Sequence, residues 1–215
     1  MTFFYEDSLM KKYLSAQLAG CTCKEKCSFD CHKSDEGQLI LCNDECHCSS
    51  LCPNKDLENK FPHSPKVDVK NCDKGSGLFA GEDFGKNEFV CVYEGYYMKE
   101  PMKNQDNKSM NYILKYVEMN SDGGEILTTI IDGYPDFFTD KPTSANINHS
   151  CDPNLRVIPV RINSPLPFLV FFTREAIQKD CELTFSYFEN NVYEKSNKPC
   201  LCAAENCLKF LPRND

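Results

Sequence analysis

The chain has no tryptophan, no long apolar run and no surplus of basic residues. Without tryptophan, its large aromatic surface comes from 15 phenylalanines and 10 tyrosines. No segment approaches the roughly 20 apolar residues that a bilayer-spanning helix needs, so no membrane partner is expected. Residues 1–20 lack a basic start and a small-residue cleavage site. Glu6 and Asp7 interrupt their one apolar patch, and Lys11 and Lys12 follow it. The chain therefore reads as soluble and intracellular. Its 24 basic and 32 acidic side chains leave a net charge of −8. Gripping a phosphate backbone takes clustered Lys and Arg, so direct nucleic-acid binding is not expected. A basic partner, such as a Lys/Arg-rich protein tail, suits this charge better.

Cysteine, by contrast, is abundant: 15 residues, eight of them between Cys21 and Cys52 and three between Cys200 and Cys207. A disulfide scaffold would need an oxidising compartment, and neither the odd count nor the N-terminus supports one. Thiolate–metal clusters explain the short Cys-x-Cys and Cys-x3-Cys steps, and zinc is the expected metal. Cys200-x-Cys202-x4-Cys207 is one thiol short of a four-sulfur site. The segment Asn148-His149-Ser150-Cys151-Asp152-Pro153-Asn154 offers an amide, an imidazole and a thiol in one proline-stopped turn. Cys151 is the expected fourth ligand. Metal there would clip the C-terminal tail onto the turn and roof a cleft.

Four zones follow. Residues 1–20 form a lead with one helix expected from Glu6 to Leu18. Residues 21–73 hold the cysteine-dense stretch, too poor in apolar residues for a core without metal, and then a linker from Pro53 to Asp73. Residues 74–190 carry the core in short β-rich runs: Glu88–Tyr97, Tyr112–Glu118, Ile126–Ile131, Leu155–Ile162 and Phe168–Thr173. Such runs, separated by polar or Gly/Pro punctuation, predict a mainly β fold of small curled sheets, not a doubly wound parallel sheet. Residues 191–215 are a polar link and the last cysteine cluster.

Taken alone, Lys74-Gly75-Ser76-Gly77-Leu78 would be a tight turn. The two aromatics of Glu182-Leu183-Thr184-Phe185-Ser186-Tyr187 would be core residues on one strand face. Their order with Asn-His-Ser-Cys-Asp-Pro-Asn and Cys-x-Cys-x4-Cys changes that reading. From Cys21 to Pro212 the chain resembles the SET-domain protein-lysine methyltransferases of the heterochromatin type, with pre-SET and post-SET zinc modules.

The resemblance implies a SET fold of small curled sheets with a pseudoknot, flanked by loop-rich zinc-cluster modules. It implies S-adenosylmethionine as cofactor, bound by Lys74, Gly75, Ser76, Gly77, Leu78, Asn148, His149 and Tyr187. Tyr187 is then the catalytic hydroxyl, Tyr112 a channel wall, and Phe185 the residue whose missing hydroxyl leaves room for two or three methyls. Cys21, Cys23, Cys27, Cys31, Cys42, Cys46, Cys48 and Cys52 hold about three zincs by the same resemblance, and Cys151, Cys200, Cys202 and Cys207 hold one. Relatives usually supply nine pre-SET cysteines; His32, Cys72, Asp35 or a smaller cluster are the ways to make up the difference. The implied partner is the histone H3 tail in nuclear chromatin, with lysine nine first and lysine thirty-six or a non-histone protein as alternatives. Ser76 stands where relatives often have Trp, Tyr96 where they have Glu, and Ala145-Asn146 where they have an Arg–aromatic pair. These departures keep an inactive, zinc-stabilised chromatin-binding module as the rival reading.

Overall fold

A computed structural model describes residues 4–5, 18, 20–24, 27, 38–55, 65–99, 112–119, 122–134, 143–188 and 195–212. The helix expected from Glu6 to Leu18, save Leu18 itself, and Cys31, His32 and Asp35 lie outside them. In chain order the strands are β1 (Phe4–Tyr5), β2 (Leu39–Ile40), β3 (Val67–Cys72), β4 (Gly75–Ala80), β5 (Phe89–Val92), β6 (Tyr96–Met98) and β7 (Ile113–Met119). Then come β8 (Glu125–Asp132), β9 (Asn148–His149), β10 (Leu155–Arg161), β11 (Phe168–Thr173), β12 (Glu182–Phe185), β13 (Lys195–Pro199) and β14 (Phe210–Pro212). A 3-10 turn over Thr143–Asn146 leads into β9.

Among the described residues these strands form three four-stranded sheets, ordered β1-β6-β8-β7, β2-β10-β11-β5 and β3-β4-β12-β9, plus the β13-β14 pair. The expected small sheets are present. The run Glu88–Tyr97 divides into β5 and β6 after Tyr93: its N–H still meets β11 at the Leu169 carbonyl, but the Glu94 N–H leaves the ladder for the Ser144 hydroxyl. Strand β3 lies within the stretch read as linker, and pairs with β4 from Val67↔Ala80 to Cys72↔Gly75.

Strand β11 shows how the core divides. Leu169 and Phe171 enter the main cluster with Leu78, Val157, Leu183 and Phe185. Val170 and Phe172 point the other way, to Leu41, Val92 and Val160. Alternate residues of a strand face opposite sides, so a strand covered on both sides is apolar throughout. Each such side chain contributes about 1.5–3 kcal/mol on full burial. Leu41 belongs to the cysteine-rich segment, and its N–H bonds the Arg161 carbonyl. The cysteine-rich segment is thus joined to this sheet along its β10 edge, through β2 and Leu41.

Candidate active site and metal centres

Strand β12 organises the site. Its first half pairs antiparallel with β4 (Glu182↔Phe79, Leu183↔Leu78), and its second half pairs parallel with β9 (Thr184↔Asn148, Phe185↔His149). The Gly-x-Gly segment and the Asn-His turn therefore share one strand as their floor. Gly75 opens β4 at φ 100°, a backbone state that glycine adopts without steric cost. At Gly77 a β-carbon would lie 3.0 Å from the Phe79 ring, 3.1 Å from Glu182 Oε1 and 3.2 Å from Asn148 Nδ2. Its missing side chain leaves that volume to Glu182 and Asn148.

Beneath Gly77 is a polar knot. Asn148 Nδ2 donates to Glu182 Oε1 at 2.9 Å and to the Ser76 carbonyl at 3.0 Å. The Lys74 ammonium lies 2.5 Å from Glu182 Oε2. Cys72 sits beside both, its sulfur 3.7 Å from Asn148 Nδ2. This places Cys72 among the site residues. Glu182 was not among the sequence candidates, and Cys72 was one only as a possible extra ligand of the N-terminal cluster; its sulfur lies instead beside Asn148. Their partners lie 34 to 110 residues away in the chain, beyond the reach of any local pattern.

His149 is buried. Its Nδ1 accepts the Tyr187 N–H at 3.1 Å, and its Nε2 lies 3.3 Å from the Cys151 sulfur. Burial lowers the imidazole to about 4, and the Lys74 ammonium adds to this. A neutral ring that accepts at Nδ1 carries its proton at Nε2, so it donates toward the Cys151 sulfur. The turn thus holds a metal-ligand candidate with one side chain and the Tyr187 backbone with the same ring.

Tyr187 donates its hydroxyl to the Ile147 carbonyl at 2.9 Å. Burial raises its phenol above the ordinary value of 10, and nearby Tyr112 and Glu182 raise it further. At neutral pH it is a hydrogen-bonding phenol, not an anionic base. Its ring stands 4.8 Å from Phe185 and 5.2 Å from His149. Phe185 in turn packs edge-on against Phe171 at 5.0 Å, and Phe171 against Tyr93 at 6.1 Å. The Tyr112 carbonyl accepts from the Tyr93 hydroxyl at 2.7 Å and the Gly133 N–H at 2.9 Å, while its ring meets Tyr134 at 5.5 Å. Tyr93 is a further residue that the sequence reading did not single out.

The ligand atoms of Cys151, Cys200, Cys202 and Cys207 all lie within 4.8 Å of one another. The Cys151–Cys200 sulfur distance is 4.0 Å. Four sulfurs at about 2.3 Å from a zinc are about 3.8 Å apart, so this set suits a tetrahedral ion. Burial raises the Cys202 thiol, but the N–H groups of Cys151 and Ala204 with the neighbouring thiols outweigh it and hold it at about 6.

A second group joins Cys21, Cys27, Cys42 and Cys48. Cys27 is its hub, with sulfur distances of 3.2 Å to both Cys21 and Cys42. Cys52 joins through Cys42 at 3.8 Å, and Cys46 accepts the Cys21 N–H at 3.2 Å. Cys23 packs against the same cluster. Burial among so many thiols pushes the Cys27 and Cys42 thiols far up. Crowded, solvent-poor sulfurs without disulfides are the donor set that a soft metal satisfies.

The family model for the SET domain matches residues 75–188. The probable histone-lysine N-methyltransferase set-23 of Caenorhabditis briggsae is 29% identical over 91% of this chain and 88% of its own length. Histone-lysine N-methyltransferase SETMAR of Mus musculus is 33% identical over 81% of this chain, which spans 60% of that protein. The crystal structure of the human SETMAR methyltransferase domain superposes with a TM-score of 0.66 at 23% identity, covering 99% of this chain and 90% of that one. KRYPTONITE, solved with mCHH DNA, H3(1-15) peptide and SAH, gives 0.65 at 21% identity, over 98% of this chain and 46% of its own. With its Gly-x-Gly strand, Asn-His turn and tyrosine strand joined on one floor, the chain belongs to the SET-domain family, within which these relatives are histone-lysine N-methyltransferases.

Proposed function

We propose that the chain methylates a lysine of the histone H3 tail, with lysine nine the first choice, and adds two or three methyls. The observation that carries this is the convergence of Gly77, Asn148 and Tyr187 around strand β12. Lys74, Gly75, Ser76, Gly77, Leu78, Asn148 and His149 would hold S-adenosylmethionine, which when bound supplies a methyl group on a cationic sulfonium.

An attacking lysine must arrive uncharged, although its free value is about 10.4. Apolar surroundings lower it by penalising the charged form, and a neighbouring cation lowers it further. Phe185 and the Tyr187 ring supply such surroundings, with Tyr112 as a further wall. The Tyr187 hydroxyl, protonated and tied to the Ile147 carbonyl, fixes where the amine sits. Phe185, which has no hydroxyl, leaves the amine room to turn between successive methylations.

A basic tail complements the net charge of −8. It would bind as an added strand, backbone to backbone. KRYPTONITE was solved with both an H3 peptide and DNA; for this acidic chain the protein tail is the substrate we assign. The two thiol groups would carry structural zinc, about three ions in a pre-SET module within residues 21–73 and one in the post-SET tail, with action on nuclear chromatin. Methyl transfer to an H3 peptide array, read by mass for site and methyl number, tests the assignment. Label on lysine nine that disappears in Tyr187→Phe supports it; no transfer to any histone peptide refutes it.

A further inference from the structure

We infer that Glu182 is a positioning residue for the cofactor pocket, a carboxylate that locks the Gly-x-Gly segment to the Asn-His turn. The inference rests on the proposed use of that pocket for S-adenosylmethionine. Glu182 stands at the start of β12, with one oxygen toward each neighbour: Oε2 to the Lys74 ammonium at 2.5 Å and Oε1 to the Asn148 amide at 2.9 Å.

These contacts decide which way the Asn148 amide faces. Both of its N–H groups are committed, one to a carboxylate oxygen and one to the Ser76 carbonyl. Reversing the amide would set its oxygen against two acceptors, so the orientation is fixed by Glu182 and Ser76 together. The amide oxygen, the negative end of that dipole, is turned away from both. Without Glu182 one of the two anchors is lost and the amide can rotate. Lys74 would also lose its anionic partner and, with it, the contact that holds the turn before β4 against β12.

Gly77 shows how closely this carboxylate is fitted. The space that a β-carbon would take is already filled at 3.1 Å by Glu182 Oε1 and at 3.2 Å by Asn148 Nδ2. The ion pair itself is partly open to solvent, with side-chain exposures of 17% for Lys74 and 22% for Glu182. Solvent at its edge screens the pair and limits what it adds to global stability. The effect of removing Glu182 should therefore appear in cofactor binding more than in folding.

The test is calorimetric titration of S-adenosylhomocysteine into the full chain, with steady-state kinetics on S-adenosylmethionine and an H3 peptide. Wild type is compared with Glu182→Ala, Glu182→Gln and Lys70→Ala. The last removes an exposed pair with Asp180 on the neighbouring hairpin and serves as a charge control. Glu182→Ala should raise the S-adenosylhomocysteine Kd and the cofactor KM between about tenfold and a hundredfold, the range for losing hydrogen bonds to a charged group. The peptide KM, zinc content and melting temperature should stay near wild type. Glu182→Gln keeps an acceptor for Asn148 but not the charge for Lys74, so it should fall between; its near-identical shape lets it decide the question if the alanine variant does not fold. Lys70→Ala should bind as wild type does. Unchanged affinity in both Glu182 variants, or a parallel rise in peptide KM, overturns the positioning role alone. Failure of the wild-type chain to bind the nucleoside at all removes the proposed function, and this inference with it.

Discussion

The Tyr187 hydroxyl donates to the carbonyl of Ile147, the residue just before Asn148, so the tyrosine and the cofactor-side turn are joined by a 2.9 Å hydrogen bond. Tyr187→Phe removes this bond and leaves the ring in place against Phe185 and His149. Stability should fall by about 1 kcal/mol, the net worth of one such bond. Methyl transfer should fall by about a hundredfold or more, since a positioned hydroxyl is lost from the reacting centre. A radiolabel assay beside a thermal melt separates the two effects. Full activity in a well-folded Tyr187→Phe protein would contradict the assignment.

Phe185 is buried between Phe171 and Tyr187, with ring centroids 5.0 and 4.8 Å away. Phe185→Tyr adds one hydroxyl in this crowded place. It should hold the amine, or a water beside it, and stop the reaction after one methyl. Mass spectra at long reaction times should change from di- and trimethyl to mainly monomethyl product. Monomethyl product from the unaltered protein would reject the role given to Phe185.

Cys151 ties the Asn-His turn to the C-terminal tail through four thiols. Cys151→Ala should lower the zinc content by about one ion per chain, leave the N-terminal cluster loaded, and raise the cofactor KM. A structural zinc site of this kind contributes folding energy outright, so a strong chelator should also loosen the tail. Metal analysis with thiol titration gives the answer, and an unchanged zinc content in Cys151→Ala would exclude this cysteine as a ligand.

Motif order singled out residues that the structure sets side by side. Asn148, His149, Cys151 and Tyr187 stand within one compact turn or one strand end, where spacing carries information. The polar knot was harder to read, because Glu182 meets Lys74 and Cys72 only through the β4–β12 pairing. Strand β3 was hidden for another reason. Its residues are half-buried or exposed, without a single buried side chain and without strict alternation, so it carries little hydrophobic signal. The site Cys72 takes was equally unreadable, since a cysteine not far beyond a thiol-rich zone looks like a spare ligand.

Arg161 offers a test of how strand β10 is tied to strand β7 through a buried ion pair. Its guanidinium reaches Glu118 Oε2 at 2.6 Å, Gln38 Oε1 at 2.7 Å and the Pro165 carbonyl at 2.7 Å. The pair is sealed, with side-chain exposures of 8% and 4%. Glu118 Oε1 remains buried with no hydrogen-bond partner among the described residues, so the carboxylate already carries a desolvation cost. Arg161→Met would strand that charge completely and should cost about 3–5 kcal/mol. At about 2–4 °C per kcal/mol for a chain of this size, the melting temperature should drop by roughly 6–20 °C. Adding Glu118→Leu should restore most of the loss, because two apolar side chains of similar volume replace a buried ion pair at little net cost. Urea titrations of the two single variants and the double variant, at constant zinc, provide the cycle. Additive losses would mean that the pair does not act as a unit and that Gln38 and Pro165 alone hold the arginine in place.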